Sequence, residues 1–339
     1  MPRSVEHWET RIGKRLRLRD LHVLLTVVQH RSMAKAARRL AVSQPAVSKA
    51  ISDLEYTLGV QLLDRGPRGV EPTLYGDALV RRGLVVFDEL RQGVGEIEFM
   101  ANPTVGEVRV GCFEWVLATL IPPVIERLSN QYPGVVVHVT QTNPATLDLR
   151  ELRERNIDLL IGRLGRAAEQ DDLNAEILLE DPMIVVAGVE SRWARLRKIK
   201  MADLMDQKWI LYPPNSEPAA IVESAFHAQG LALPQASVTT HSHYLRDILL
   251  ATGQYLAIVP ISMLGVYNRK RVTVKRLQLD LGIKSSPMAI FTLRNRTLSP
   301  VIELFIECVR ATASPSWRLT GKAPSRAAAA AAIKAAINH

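Results

Sequence analysis

Apolar residues recur at helical spacing in three short segments near the amino terminus. The first segment covers about Leu18–His30, where leucine and valine return every three or four residues. The second, MAKAARRLA, follows Ser32, and the third, QPAVSKAISDLEYTLG, follows Ser43, so each serine stands where a helix N-cap belongs. Pro45 falls in the first turn of the third segment, and Gly59 ends it. The pattern predicts three consecutive helices with a tight turn between the second and the third.

The third predicted helix has one apolar face and one polar face. Its apolar positions recur at steps of four, three and four residues, at Val47, Ile51, Leu54 and Leu58. The opposite face carries Gln44, Ser48, Lys49 and Ser52. A helix, a tight turn and a capped helix with an outward polar face form a helix-turn-helix, whose second helix fits a major groove roughly 12 Å wide.

Two further elements follow the predicted helix-turn-helix. The segment LLDRGPRGVEPT predicts a hairpin that holds Arg65 and Arg68 outward, as a wing that touches phosphates or the minor groove. Thr73 then caps a long helix that ends near Ala101. Along that helix apolar residues keep a spacing close to 3.5, which predicts a dimerisation seam formed by Val80, Leu84, Phe87, Val94 and Ile97.

Short β-rich segments alternate with helical segments beyond Asn102-Pro103. The β-rich segments are residues 107–112, 135–141, 158–163, 183–188, 209–212, 237–242, 255–260 and 288–293. Their alternation with helices is typical of parallel β-α-β units, and a last helix covers Ser299–Thr312. We therefore expect two α/β lobes with chain crossovers, a form suited to holding a small molecule in the cleft.

The net charge of +9 is unevenly distributed along the 339 residues. Residues 1–73 hold 13 basic and 7 acidic side chains, residues 74–312 are close to neutral at −1, and the Ala-rich segment 313–339 carries +4. A small basic head on a neutral body is expected when only the head meets a polyanion, although a basic solvated surface has the same composition.

Composition narrows the class of protein and its setting. Only Cys112 and Cys308 are present, far apart, which excludes a disulfide framework or zinc cage and favours a reducing cytoplasm. No apolar run approaches the roughly 20 residues of a membrane span, and the amino terminus lacks the apolar core of a signal peptide. We predict a basic arm at 1–15, a DNA-binding domain at 16–73, a linker helix at 74–101, an effector domain at 106–312 and a low-complexity tail at 313–339.

The run SMAKAARRLAVSQPAVSKAI at 32–51 resembles the LysR-type transcriptional regulators. LE at 54–55, LG at 58–59, Arg65 and T-x-x-G at 73–76 extend the resemblance. It implies an α/β fold in which an all-α winged helix-turn-helix and a long linker helix precede a two-lobed, periplasmic-binding-protein-like (type 2) effector domain. The lobes would be about 106–180 with 284–312, and 181–283.

The resemblance also implies partners. A LysR-type regulator would form a homotetramer from linker-helix dimers, bind double-stranded promoter DNA and alter DNA bending when a small inducer binds; RNA polymerase is a further candidate partner. Two departures stand out: Leu63 replaces a common Phe, and Glu71-Pro72-Thr73 replaces an apolar-Thr pair. The second is loosely associated with galactose-binding-protein regulators, a weak indication of a sugar inducer.

Candidate DNA contacts are short polar and basic side chains of the head. The alternative is that they are merely solvent-facing helix residues. The predicted contacts are Ser32, Lys35, Ser43, Gln44, Pro45, Ser48, Lys49, Ser52, Arg65 and Arg68.

Candidate effector contacts lie where predicted strands end. The resemblance points first to Phe113, Glu114 and Trp115, ahead of a helix whose N-terminus often binds an anionic inducer. Because Glu114 would repel a carboxylate there, either it faces away or the inducer is neutral or polyhydroxylated. The aromatic residues could stack on a sugar, but core packing is the favoured interpretation. The remaining candidates are Arg163, Tyr212, His241, Ser242 and His243.

No metal, cofactor or catalytic site is predicted. His241 and His243 would share one strand face, yet no third ligand is evident. The chain contains no GxSxG, HExxH, GxxxxGK[ST] or Rossmann GxGxxG motif. Three alternatives compete with the regulator. A solute-binding protein would predict a signal peptide and no basic head, and both predictions fail. A non-specific architectural DNA binder and an enzyme on an α/β scaffold remain.

Overall fold

The computed structural model describes residues 15–67, 69–142, 149–165, 170–269, 274–283 and 287–313. Contacts between Cα atoms divide the chain into two compact units, Met1–Arg91 and Gln92–His339. We refer to them as the head and the effector unit, and describe each by itself.

Three helices form the core of the head: α1 (Leu18–His30), α2 (Met33–Arg39) and α3 (Gln44–Leu58). Small buried residues at Ala36 and Ala37 let the helices pack closely around an apolar cluster. All three predicted helices, their order and the glycine end of α3 are confirmed, and the backbone of Gly59 adopts the left-handed conformation.

The predicted wing is an antiparallel hairpin of β1 (Leu63–Gly66) and β2 (Gly69–Pro72). Leu63 and Val70 point inward and are buried, whereas Arg65 is exposed. The N–H of Val70 donates to the carbonyl oxygen of Arg31 at 3.1 Å, which ties the hairpin to the end of α1. Arg68 lies outside the described residues.

Helix α4 (Leu74–Ala101) begins where Thr73 was expected to cap it. The N–H of Gly76 donates to Thr73 Oγ1 at 3.1 Å, and a Cβ at Gly76 would collide with the carbonyl oxygen of Leu62. The start of the helix therefore lies directly against backbone.

Two residues of the predicted seam along α4 pack within the head. Val80 and Phe87 pack on the core of the head, and the Phe87 ring lies 5.4 Å from the ring of His22. These side chains are occupied within one chain because the first turns of α4 complete the head. The exposed apolar residues follow a different line, which we call the linker stripe: Val86, Leu90, Val94 and Ile97.

The first sheet of the effector unit has five strands. They are β3 (Val105–Cys112), β4 (Gly134–Gln141), β5 (Leu159–Arg163), β6 (Leu173–Leu179) and β12 (Met288–Leu293). Their order is β4-β3-β5-β12-β6, in which β4, β3 and β5 are parallel and β12 is antiparallel to both β5 and β6. The helices of this part are α5 (Glu114–Thr119), α6 (Ile121–Gln131), α7 (Arg150–Arg153) and α11 (Pro300–Thr312).

The second sheet also has five strands. They are β7 (Met183–Gly188), β8 (Lys208–Leu211), β9 (Ala236–Thr239), β10 (Tyr255–Pro260) and β11 (Val274–Arg276). Their order is β11-β7-β10-β8-β9, in which β10, β8 and β9 are parallel and β7 is antiparallel to β10 and to β11. The helices are α8 (Glu217–Ala228), α9 (His243–Ala251) and α10 (Met263–Arg269), with 3-10 turns at Arg192–Arg195 and Met201–Leu204.

The chain enters the second sheet after β6 and returns to the first with β12. At the first crossover the buried Asp181 carboxylate accepts hydrogen bonds from Ser262 N–H at 3.1 Å and from Ser262 Oγ at 2.9 Å. The two-sheet α/β class is confirmed. Strands β6 and β11 were not predicted, and the strand expected at 237–242 ends at Thr239.

Both cysteines are packed inside the effector unit. Cys112 has no exposed surface and Cys308 is 5% exposed. Burial raises the pKa of the Cys112 thiol to about 12 and also raises the pKa of Cys308 above its ordinary value. Since the thiolate is the reactive form, both thiols are packing groups at neutral pH. Among the described helices, none has the length and apolar composition needed to cross a bilayer.

Candidate functional site

Helix α3 turns a polar face away from the core of the head. Gln44, Lys49 and Ser52 are exposed and Ser48 is half-buried. On the opposite face Val47, Ile51 and Leu54 are at most 1% exposed, which fixes the rotation of the helix about its axis. The exposed face offers an amide, two hydroxyls and an ammonium group, the groups that read base edges and phosphates in a major groove.

The serine candidates of the head cap its helices. Ser32 Oγ accepts the N–H of Lys35 and Ser43 Oγ accepts the N–H of Ala46, both at 3.3 Å. Lys35 and Pro45, in the first turns of the two capped helices, are exposed. The described head residues thus combine two helix N-termini, basic side chains and one polar helix face.

The effector unit contains a cavity where the parallel strands of both sheets end. Phe113, Glu114 and Trp115 follow β3, and the ends of β4, β5, β8, β9 and β10 supply other walls. Carboxyl ends of parallel strands are where α/β proteins bind ligands. The lining residues are Phe113, Glu114, Trp115, Gln141, Arg163, Met183, Tyr212, Glu217, Pro218, His241, His243 and Pro260.

The aromatic candidates belong to the core and to the cavity at once. Phe113, Trp115 and Tyr212 are 4%, 8% and 7% exposed and join the two apolar clusters of the unit. Each also lines the cavity. The Arg163 guanidinium lies 5.2 Å above the Trp115 ring, and its Nη2 is 3.2 Å from Met183 Sδ and 4.0 Å from Asp181 Oδ2.

The carboxylate of Glu114, the first residue of α5, reaches the N-terminus of a different helix, α9. Glu114 Oε1 accepts the backbone N–H of His243 at 3.0 Å, at the first residue of α9. A carboxylate of the protein therefore lies at a helix N-terminus, a position that favours an anion. Glu217 brings a second carboxylate to the lining, and a Cβ at Gly165 would collide with it.

His241 and His243 do not share a strand face, and that expectation is wrong, because the strand ends at Thr239 and a helix begins at His243. Ser242 adopts an extended conformation and caps α9, accepting the N–H of Leu245 on its Oγ at 3.3 Å. The chain consequently turns into a helix, with His243 in its first turn. His241 and His243 still line the cavity, whereas Ser242 does not. The described residues include no group of three or more His, Cys, Asp or Glu side chains placed to hold a metal ion.

Arg246 is a site residue that sequence reasoning missed. Its side chain has no exposed surface, and the guanidinium lies 4.4 Å over the Tyr212 ring. Nη1 lies 3.1 Å from His243 Nδ1, and Nη2 donates to the carbonyl oxygen of Thr240 at 3.0 Å. Burial, followed by the Arg246 charge, holds the pKa values of both His243 and His241 below the ordinary 6.5.

Other lining residues were also missed, although several left a signal. Gln141 and Pro260 end β-rich segments that the pattern identified, and strand ends were the stated criterion. Glu217 and Pro218 open α8 after the Ser216 cap, the same type of start as in α3. Met183 begins β7 and gave no local signal.

The polar-faced helix with its wing and the cavity at the strand ends define a DNA-binding regulator with a small-molecule-binding domain. Residues 18–77 match the profile described as "Bacterial regulatory helix-turn-helix protein, lysR family", and residues 101–314 match "LysR substrate binding domain". The chain belongs to the LysR family of transcriptional regulators, a family of DNA-binding proteins that are not enzymes.

Relatives and solved structures agree over most of the chain. The HTH-type transcriptional regulator GbpR of Azospirillum brasilense is 28% identical over 306 residues, 90% of this chain and 89% of that protein. A full-length OxyR variant from Pseudomonas aeruginosa shares the fold with a TM-score of 0.65 at 21% identity, covering 87% of this chain and 95% of the other. CbnR, a LysR family transcriptional regulator, matches with a TM-score of 0.59 at 21% identity, covering 88% and 100%.

Proposed function

We propose that this regulator reads a promoter through the exposed face of α3 and responds to an uncharged, polyhydroxylated small molecule in the cavity of the effector unit. The observation that carries the ligand class is the bond from His243 N–H to Glu114 Oε1, because it places a carboxylate where an anionic inducer would otherwise bind.

The DNA-binding part of the proposal rests on charge and exposure. Gln44, Ser48, Lys49 and Ser52 would supply the sequence preference, and Lys35 and Arg65 would contact phosphates. Each phosphate contact adds a salt-dependent contribution to the affinity, because binding releases condensed counterions. Ser32 and Ser43 would act through the helix N-termini that they cap.

The effector part rests on the chemistry of the lining. Glu114 and Glu217 offer hydrogen-bond acceptors, and three aromatic rings offer apolar faces, a combination that suits hydroxyl groups on a carbon ring. The cavity has a volume of about 40 Å³, far below the roughly 300–1,000 Å³ of a typical small-molecule site. A sugar-sized molecule would therefore enter only when the two sheets separate, and its binding would change their spacing.

Self-association would use the linker stripe. Val86, Leu90, Val94 and Ile97 are 40–65% exposed at steps of four, four and three residues, the spacing of a helix that packs on a second helix. We propose dimers through this stripe and a homotetramer as the full assembly, acting in the cytoplasm at promoter DNA. RNA polymerase remains a further candidate partner.

The substitution Gln44→Ala tests the DNA-binding part. We expect roughly a 10- to 100-fold weaker operator complex, the cost of losing one good base contact. Fluorescence anisotropy on a fragment upstream of the regulator's own gene, against unrelated DNA, measures it. Gln29→Ala is the matched control, because Gln29 is exposed on α1 and outside the proposed face. Unchanged affinity in Gln44→Ala would remove Gln44 from the reading face.

The substitution Arg163→Ala tests the effector part. We expect it to blunt the response to inducer and to leave operator affinity within about twofold, because Arg163 lines the effector cavity and lies outside the head. Loss of operator binding would show that the effector unit is structural and not sensory. If the wild-type protein binds upstream and unrelated DNA equally, with steep salt dependence, an architectural DNA binder becomes the better proposal.

A further inference from the structure

We propose that His243 selects the effector by donating a hydrogen bond from Nε2 to an uncharged oxygen, and that Arg246 is the positioning residue that fixes this donor. The inference rests on the proposed function, since it specifies the ligand of the same cavity. It names the effector class more narrowly: a neutral molecule in which a hydroxyl oxygen accepts from His243 while a hydroxyl hydrogen reaches Glu114.

The contact with Arg246 fixes the tautomer of the His243 ring. A guanidinium has five N–H donors and no acceptor, so the 3.1 Å contact from Arg246 Nη1 is a hydrogen bond only if His243 Nδ1 accepts. An imidazole that accepts at Nδ1 carries its proton on Nε2. The contact thus fixes the ring as a donor on its other side.

The Nε2–H group of His243 needs a hydrogen-bond acceptor. His243 lines the cavity, and no described residue forms a hydrogen bond with its Nε2. The side chain is 5% exposed, so bulk water is largely excluded around it. A ligand atom that enters the cavity and bonds to Nε2–H must be an acceptor.

Charged side chains lie around the His243 ring. Arg246 is fully buried, and burial of the imidazole together with the Arg246 charge keeps the pKa of His243 well below 6.5. Arg163, His241, Glu114 and Glu217 also line the cavity. A ligand carboxylate would accept from His243 but meet Glu114, and an ammonium group would suit Glu114 but could not accept from Nε2–H. A hydroxyl group does both.

A hydrogen bond and a ring contact hold the Arg246 side chain in place. Its Nη2 donates to the carbonyl oxygen of Thr240 at 3.0 Å, and its guanidinium stacks on Tyr212 at 4.4 Å. The side chain therefore joins the residue after β9, the first turn of α9 and an aromatic wall of the cavity. A buried charge kept in this place is costly, which favours a role in the site.

The test uses the full-length protein and a matched sugar panel. Binding of D-glucose, D-galactose, D-xylose and L-arabinose, and of the amino sugars and uronic acids of the two hexoses, is followed by tryptophan fluorescence and by thermal shift. We expect a neutral sugar to bind at least about tenfold more tightly than its amino and uronic counterparts. Tighter binding of a uronic acid or an amino sugar would overturn the ligand class, as would no binding of any neutral sugar at about 10 mM, above the range of weak specific sites.

Two isosteric substitutions test the donor. Glutamine places its amide nitrogen near the Nε2 position and asparagine near Nδ1, so His243→Gln should keep sugar affinity within about threefold and His243→Asn should lose about tenfold. Equal losses would overturn the role of Nε2. In protein labelled with ¹⁵N-histidine, the His243 signals should show a protonated Nε2 and an unprotonated Nδ1; the opposite tautomer or an imidazolium would overturn it without any ligand.

A double-mutant cycle tests Arg246. Arg246→Met should weaken sugar binding about tenfold in the wild-type background, because the ring can then change tautomer, but by less than about threefold in the His243→Gln background, because an amide cannot. Equal losses in both backgrounds would assign Arg246 a purely structural role. Operator anisotropy on every variant separates the outcomes. Wild type that binds its operator but no sugar refutes this inference and the proposed effector class, and leaves the proposed DNA-binding function in place. Wild type without operator preference refutes the proposed DNA-binding function.

Discussion

Helices α3 and α9 begin with the same type of N-cap, but they bury opposite kinds of side chain. Each follows a serine N-cap whose Oγ accepts a backbone N–H at 3.3 Å. In α3 the apolar residues are buried and the polar residues exposed. In α9 His243, Arg246 and Asp247 are buried, while Tyr244, Leu245 and Ile248 are 71%, 40% and 50% exposed.

The difference between the two helices separates two kinds of recognition. A helix whose polar face points outward can contact DNA with that face, and its apolar face packs on the core as in any amphipathic helix. A polar face that points inward needs partners within its own unit, because each unpaired buried polar group costs free energy. In helix α9 the His243 ring contacts Arg246, the His243 N–H donates to Glu114, and His243 borders the cavity.

The largest expected effect comes from the buried face of α3. Ile51 has no exposed surface, so Ile51→Ala should leave a cavity and lower the free energy of unfolding by roughly 2–5 kcal/mol. The matched substitution Ile248→Ala, on the exposed face of α9, should change it by less than about 0.5 kcal/mol. Urea denaturation followed by circular dichroism measures both. A large loss in Ile248→Ala that grows on dilution would show that a second copy covers this face.

The next effect is confined to α9, because α3 contains no histidine. The pKa of His243 is lowered in the folded protein, so above about pH 6.5 both folded and unfolded states are neutral and stability is unaffected. Below that pH only the unfolded state takes up the proton. Stability should therefore fall with acidification, by up to about 1.4 kcal/mol per pH unit for this group.

Melting temperatures of the wild type and of His243→Gln at about pH 7.5, 6.5 and 5.5, on either side of the ordinary histidine pKa, measure this dependence. The wild type should lose stability more steeply on acidification than the variant. Identical slopes in the two proteins would show that His243 titrates in the folded state as it does in the unfolded chain.

The two serine caps should have equal energetic effects and separate functional ones. Ser43→Ala and Ser242→Ala should each cost about 1 kcal/mol, because each leaves one helix N–H without its side-chain acceptor. Ser43→Ala should weaken operator binding. Ser242→Ala should leave operator binding unchanged and lower the urea concentration at which the effector unit unfolds, as followed by tryptophan fluorescence. Operator anisotropy and urea denaturation distinguish them. Weaker operator binding in Ser242→Ala would contradict the separation.

The smallest effect concerns one exposed charge of α3. If Lys49 contacts a phosphate, Lys49→Ala should reduce the salt slope of log affinity by about 0.9, which is roughly a threefold difference between about 50 and 200 mM salt. Binding to operator and unrelated DNA should weaken alike. A loss confined to the operator would instead indicate that Lys49 contacts a base.

The head was predictable from sequence because its signals are local. Ser32, Ser43 and Gly59 mark helix ends by their own conformational preferences, and the apolar face of α3 follows directly from its spacing. The partner of the apolar residues of α4 could not be predicted from their spacing, for a physical reason. An apolar residue such as Phe87 has the same periodicity whether it packs on its own head or on a second chain.

The effector unit was harder to predict because its site is assembled from distant parts of the chain. Strand β6 was missed because its exposed or half-buried polar residues Asn174 and Glu176 lie in an edge strand and dilute the apolar pattern. The β-rich pattern of residues 237–242 extends past the true end of β9 at Thr239. Ser242 is the N-cap of the helix that begins at His243, a local signal that competes with this pattern. Arg246 looks like an exposed helix residue until Glu114, 132 positions earlier, is brought to the same helix end.

The two inert thiols make the protein convenient for spectroscopy. With Cys112 and Cys308 buried and their pKa values raised, a maleimide dye at neutral pH will react with an introduced surface cysteine far faster than with either native one. A donor and an acceptor placed on the two sheets of the effector unit would then report their separation in an otherwise unaltered chain. Opening and closing of the cleft could be followed molecule by molecule, with operator DNA present or absent.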